Sequence, residues 1–368
     1  MGRRLGRPTR SSGLLVTTSL FASTTLSLGL FFGTTAFAER VDNFVLLDQT
    51  GKAHELYYQS DASAVVIMAQ GNGCEIVRNS IAEYQALSEQ YAQRNVRFLM
   101  LNSNLQDNRA NITKEAEEWG ITLPILDDDT QIIGESLDLV RSGEVLVLNP
   151  ENWDLVYRGP LNNRLTSEIP QSKATEHYVI DALENLLMTD PEQDSSSVAH
   201  ENIVQIEPVG CPIDFPERNA QHASISYSET IAPILQKNCT HCHVEGGIGP
   251  WAMTSYNMIH GFAPMIREVV RTKRMPPWHA DPHIGTWQGD RRLSIEDTQT
   301  LVHWIEAGAP RGAGSDPLES LAPLSNEWPL GEPDLIVEIP GYEVPASGTV
   351  DYQFPYVENE LDHGVWIT

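Results

Sequence analysis

The apolar positions of residues 41–190 follow two alternating periods. AVVIMA (64–69) and RFLMLNS (97–103) are short, continuous apolar runs, the pattern of strands buried on both faces. Between them, NSIAEYQALSEQYAQ (79–93) places Ile81, Tyr84, Leu87 and Tyr91 near helical spacing. LPIL (123–126) leads into a further short helix, and EVLVLNP (144–150) with DLVYRG (154–159) reads as a hairpin. ATEHYVIDALENLLM (174–188) sets Val179, Leu183, Leu186 and Leu187 on one helical face. Strand–helix–strand, hairpin, then helix predicts a three-layer α/β unit over residues 39–190.

The pattern lapses over 191–222, where PEQDSSSVAHE is polar and opens on proline; this is read as a linker, and Cys211 sits inside it. Residues 223–314 carry helix punctuation instead. Ser226 and Glu229 form an S-x-x-E signal, after which Ile231, Ile234 and Leu235 make an apolar stripe. Ser294 and Asp297 repeat the device before TQTLVHWIEAG, a helix predicted to stop at Gly308 with Pro310 just beyond. Residues 315–368 are proline-rich with short alternating runs, so a β segment is expected there, and HGVWIT reads as the interrupted start of a longer domain. No internal repeat stands out.

The N-terminus has a different logic. MGRRLGRPTR is basic, GLLVTTSLFASTTLSLGLFFG is apolar, and Ala36 and Ala38 supply the small residues of a cleavage site, so residues 1–38 read as a signal peptide. The apolar run is also long enough to serve as an uncleaved membrane anchor. Either way the chain is expected in the bacterial periplasm, where disulfides persist. The formal net charge is −26; cleavage after Ala38 removes four arginines and no acid, leaving 20 basic against 50 acidic residues, a net charge of −30. Such a surface argues against nucleic acid or an anionic membrane as partner.

The candidate chemistry lies in NCTHCHVEGGIGP (238–250). Cys239, Cys242 and His243 have the C-x-x-C-H spacing of a covalently held haem, with two thioether sulfurs and an axial imidazole. Zinc is the rival, although a structural zinc site needs four ligands and there is no second C-x-x-C. A Cys239–Cys242 disulfide is the third reading. For a second axial ligand Met275, in KRMPPWHADP, stands out because two prolines hold its loop rigid; His279 is the alternative. Met253, Met258 and Met265 read as filling, and Trp251, Trp278, Trp287 and Trp304 as pocket wall or core.

C-x-x-C-H, a Met-Pro loop, then LSIEDTQTLVHWIEAGAP resembles a class I cytochrome c domain. The resemblance covers about a quarter of the chain. It implies an all-α fold and one covalent haem c, with His243 as proximal and Met275 as distal iron ligand. Residues 223–314 hold eight basic and eight acidic side chains, neutral within an acidic protein. Arg271, Lys273 and Arg274 crowd the Met275 loop, as propionate partners, as a docking face or as an ordinary solvated face.

In the α/β unit, Cys74 falls where a strand gives way to a helix, a position that lowers a thiol pKa, with Arg78 one turn on. The context resembles thioredoxin-like redoxins, including peroxiredoxins, over residues 41–190. It departs from them at three places. Val77 stands where thioredoxins carry a second cysteine, Gly71 where peroxiredoxins carry Thr or Ser, and Gly143 where the fold has a cis-proline. Cys74 is thus read as a disulfide partner of Cys211, a reactive catalytic thiol, or an inert buried one. Finally, LGEPDLIVEIPGYEVPASGTVDYQF resembles the opening of a copper type II, ascorbate-dependent monooxygenase-like domain. Its copper ligands would lie further on, so no copper site is assigned.

The whole reads as an exported c-type cytochrome fused to a degenerate redoxin domain, with periplasmic redox proteins and a copper monooxygenase-like domain as its expected partners. The alternative is a thiol peroxidase or disulfide oxidoreductase centred on Cys74, with haem as electron source or sink. A haem sensor or binding module is the non-catalytic reading.

Overall fold

A computed structural model describes residues 40–364, apart from 166–170, 189–202, 219, 279, 324–331, 334, 346–349, 351 and 359–360. The signal segment and His279 therefore lie outside the described residues.

Seven core strands and a short addition make one sheet, in the order β2(Ala53–Glu55), β1(Val45–Asp48), β5(Ile125–Asp127), β4(Val96–Asn102), β3(Ala64–Gln70), β7(Val145–Asn149), β8(Asp154–Gly159), β9(Val204–Gln205). β3, β4 and β5 run parallel, while β7 and β8 form the expected antiparallel hairpin. The helices α1(Glu75–Tyr91), α2(Arg109–Trp119), α3(Ile132–Ser136) and α4(Tyr178–Met188) connect or cover the strands. β3 is buried at every position. Its side chains divide by period two, with Ala64, Val66 and Met68 in one core and Val65, Ile67 and Ala69 in the other.

The two cores explain how the chain's halves are joined. The first is closed by α1, α2 and α4, through residues such as Val77, Tyr84, Ile112 and Val179. The second continues from the opposite sheet face into the helical residues beyond 223, including Tyr227, Ile231, Leu235, Ile259, Leu301 and Trp304. The helical module is thus the second covering layer of the sheet. Burying an apolar side chain of this size contributes about 1.5–3 kcal/mol, so a few such residues suffice to hold the layer.

That module comprises a π-helical turn (Tyr227–Ile231), then α5(Ala232–Asn238), α6(Tyr256–Arg271) and α7(Ile295–Glu306). Ser226 Oγ accepts from Glu229 N and Ser294 Oγ from Asp297 N, the two caps expected from sequence. α6 went unpredicted, since Gly261 and Pro264 interrupt its pattern.

Two expectations change. The stretch read as a linker contributes β9, which extends the sheet beside β8, and β10(Cys211–Pro212), which pairs with β6(Arg141–Ser142). These strands are two residues long, and tertiary pairing rather than local pattern makes them. Among the described residues of 315–368 there is no β-strand, only a 3₁₀ turn at Pro317–Ser320. Ile336, Ile339 and Val344 are exposed, and among the described residues no strand pairs with this segment. Among the described residues, no helix is long and apolar enough to cross a membrane.

Candidate functional site: two cysteine pairs

Cys74 is the N-cap residue of α1 and only 2% exposed. Its sulfur is bonded to Cys211 of β10, with Cα atoms 5.8 Å apart, well within disulfide reach. β6 carries the partner strand into place, with Ser142 opposite Cys211. Gly143, at φ +97°, makes the turn from β6 to β7, and its N donates to Ala69 O at 2.6 Å. A side chain there would also meet Val209 O at 3.0 Å, which accounts for glycine in place of proline.

The Cys74 loop is pinned by a polar network that sequence reading missed. Asn72 N donates to Asp107 Oδ2 and Gly73 N to Glu115 Oε2. Gln70 bridges Asn72 and Glu115, and Asn102 donates to Gln70 Oε1 and Asp107 Oδ2. Burial raises the Glu115 pKa, against the Gly73 hydrogen bond. Amides this close to a helix N-terminus would otherwise go unpaired. A Cβ on Gly71 would lie 2.3 Å from Ser142 Oγ and 2.4 Å from Asn104 Nδ2, so the hydroxyl residue of peroxiredoxins has no room here. Arg78, expected to favour a thiolate, instead stacks over the Trp119 ring at 5.6 Å.

The second pair behaves differently. Cys239 and Cys242 are free thiols. α5 ends at Asn238, and the C-x-x-C-H residues form a turn in which Cys242 N and His243 N both donate to Cys239 O. Burial, aided by Cys242, pushes the Cys239 thiol up to about 12, so it is neutral at physiological pH. The donor atoms of Cys239, Cys242 and His243 do not converge within 4.8 Å, which disfavours a zinc knuckle; among the described residues another group does converge.

His243 is 9% exposed, and its Nδ1 lies 2.9 Å from Trp251 O. A carbonyl only accepts, so Nδ1 carries the proton and Nε2 keeps its lone pair, the tautomer of a metal ligand. Gly249 keeps the ring in place: a Cβ there would stand 2.7 Å from His243 Nδ1. Cys239, Cys242, His243, Trp251 and Met275 all line one cavity of about 850 Å³, with Met265, Ile266, Val270 and Leu301 adding apolar wall. Trp304 is wholly buried core, with Nε1 donating to Pro310 O, and Trp287 is exposed.

The basic residues near Met275 diverge. Arg271 is 3% exposed and donates to Ser136 Oγ of α3, so it belongs to the contact with the sheet domain; burial drops its pKa to about 10. Arg274 pairs with Glu268. Lys237 and Arg291 are the cations that line the cavity.

Residues 37–161 match the AhpC/TSA family. The sheet domain is a thioredoxin-like redoxin domain, with Cys74 at the head of its first long helix. Solved structures similar to the chain include an uncharacterized conserved protein from Geobacillus kaustophilus, 25% identical, covering 49% of this chain and 92% of that one at a TM-score of 0.39. Peroxidoxin BcpB from Mycobacterium tuberculosis is 16% identical, with 41% and 95% covered and a TM-score of 0.32. The thioredoxin domain of a thiol-disulfide oxidoreductase from Bacteroides vulgatus is 14% identical, with 41% and 94% covered and a TM-score of 0.30. No curated protein matches the chain.

Proposed function

We propose that the protein is an exported redox protein with two centres: a disulfide in the redoxin domain and one covalent haem c in the helical module. The observation that carries the second centre is the cavity. Two free thiols, an imidazole with only Nε2 available and a methionine thioether line one apolar space of about 850 Å³. These donors are the set a c-type haem takes: Cys239 and Cys242 for the thioethers, His243 and Met275 for the iron. Bound there, the haem supplies a one-electron couple. Trp251 O orients the His243 ring, the apolar walls exclude water, and the Met275–Pro276 loop offers a neutral sulfur that favours a higher potential. Periplasmic redox proteins are the partners in this reading. The exposed apolar residues Ile336, Ile339 and Val344 are where a copper monooxygenase-like domain would join.

The test is the visible spectrum of protein expressed with a haem-attachment system, with haem staining after denaturation. A sharp α band on reduction, and staining lost in a Cys239→Ser, Cys242→Ser double variant, are expected. A colourless wild type would contradict the proposal.

A second reading rests on the Cys74–Cys211 disulfide and the family match: thiol–disulfide exchange, with or without haem. Its half-reaction takes two electrons and two protons and releases two thiols, so an external dithiol supplies it in one exchange and a single haem only in two steps. Turnover of a disulfide or peroxide substrate, abolished in Cys74→Ser, supports this reading; no turnover by the wild type removes it.

A further inference from the structure

We propose that Glu217, His222 and His303 form a site for a zinc-class divalent cation, with Glu135 positioning His303. This site is separate from both cysteine pairs.

One donor atom from each of Glu217, His222 and His303 lies within 4.8 Å of the others. The His222 and His303 rings stack, with centroids 4.1 Å apart and planes at 22°. His303 is 5% exposed, and its Nε2 sits 2.6 Å from Glu135 Oε2. A carboxylate accepts, so Nε2 holds the proton and Nδ1 is left as the donor. This carboxylate–histidine pairing fixes the ring and its tautomer, the usual support behind a metal-bound imidazole. The lone pairs lie in the ring planes, so a cation takes both once the half-buried His222 ring turns out of the stack toward the His303 Nδ1 and Glu217.

The donor set names the ion. Two imidazoles and a carboxylate suit zinc or cobalt; magnesium and calcium prefer all-oxygen shells. Three protein donors leave a fourth, tetrahedral position for water or an added ligand. Donors around a bound zinc stand about 3.4 Å apart, given bond lengths of about 2.0–2.2 Å. The three donors lie within 4.8 Å of one another, and movement of exposed Glu217 and half-buried His222 closes them to that spacing.

The position gives the site a consequence. His303 belongs to α7, Glu135 to α3 of the redoxin domain, and Glu217 and His222 to the segment that follows Cys211. A cation here ties the helical module to the chain just downstream of the disulfide, so the segment stays anchored if Cys74 and Cys211 are reduced.

Zinc titration of the full chain, purified as it is produced and stripped with a chelator, tests this by calorimetry, with cobalt as optical probe. One equivalent is expected, with a cobalt spectrum lacking thiolate charge transfer. Glu217→Gln and His222→Gln should each weaken binding at least tenfold without moving the metal-free melting temperature, and Glu135→Gln about 10–100-fold. A Cys239→Ser, Cys242→Ser variant should keep the equivalent. Absence of binding, or an equivalent that survives His222→Gln and Glu217→Gln but vanishes with the cysteines, would overturn the proposal.

Discussion

Cys74 and Cys211 stand 137 residues apart and are bonded; Cys239 and Cys242 stand three apart and are not. The difference comes from what each pair is built on. β6 and β10 bring the distant pair to disulfide distance, and a polar network immobilises the loop before Cys74. The near pair lies on a turn at the end of α5, open to an apolar cavity. One pair serves as a crosslink across the redoxin domain; the other is left as two free thiols lining a cavity.

The largest expected effect separates these roles. Cys74→Ser or Cys211→Ser opens a long loop and should cost about 2–5 kcal/mol in urea unfolding, while Cys239→Ser should cost far less. Equal losses would show that both pairs are structural.

A narrower test concerns the His243 cradle. Gly249→Ala places a methyl 2.7 Å from Nδ1 and 2.8 Å from Cys242 O. If haem is held as proposed, the folded variant should keep it through the thioethers but lose the low-spin spectrum of His243 ligation. An unchanged spectrum would mean the ring is not held by this contact.

Next come two ion pairs, one between the layers and one within the helical module. Arg109 Nη1 meets both Asp281 oxygens at 2.8 and 2.6 Å, with both side chains largely buried. Arg109→Ala should cost about 1.5–3 kcal/mol in thermal unfolding. Lys237→Ala breaks an exposed pair with Asp297 and should cost under about 1 kcal/mol. A reversed order would contradict the view that the layers form one unit.

The smallest effect is on pH dependence. Burial raises the Asp128 pKa from 3.8 to about 6, despite hydrogen bonds from Gly134 N and Ser103 Oγ. The folded state then holds this proton more tightly than the unfolded chain. Its contribution favours folding below about pH 4 and is lost as pH rises through about 6. Asp128→Asn should flatten that part of the stability profile and change little else.

Periodic elements were legible in the sequence: β3, α1, β4, the β7–β8 hairpin and α4 all follow apolar patterns, and Ser226 and Ser294 announce their helices. What escaped depends on distance along the chain or on unusual local chemistry. α2 is capped by an Asn108–Asn111 pair rather than by a Ser and a Glu. β9 and β10 have no local signal. Cys239, Cys242, His243 and Met275 were readable from spacing and now share a cavity. The Glu217–His222–His303 group, drawn from residues up to 86 positions apart, was not readable. Arg271 looked like a surface cation beside Met275, but its helix turns it to the redoxin domain.

The most direct measurement is the intact mass of the exported protein, alkylated and denatured without reduction. One haem added and no alkyl groups are expected, since the proposed state has Cys239 and Cys242 as thioethers and Cys74 and Cys211 in a disulfide. A haem-free chain carrying alkyl groups on Cys239 and Cys242 would contradict it.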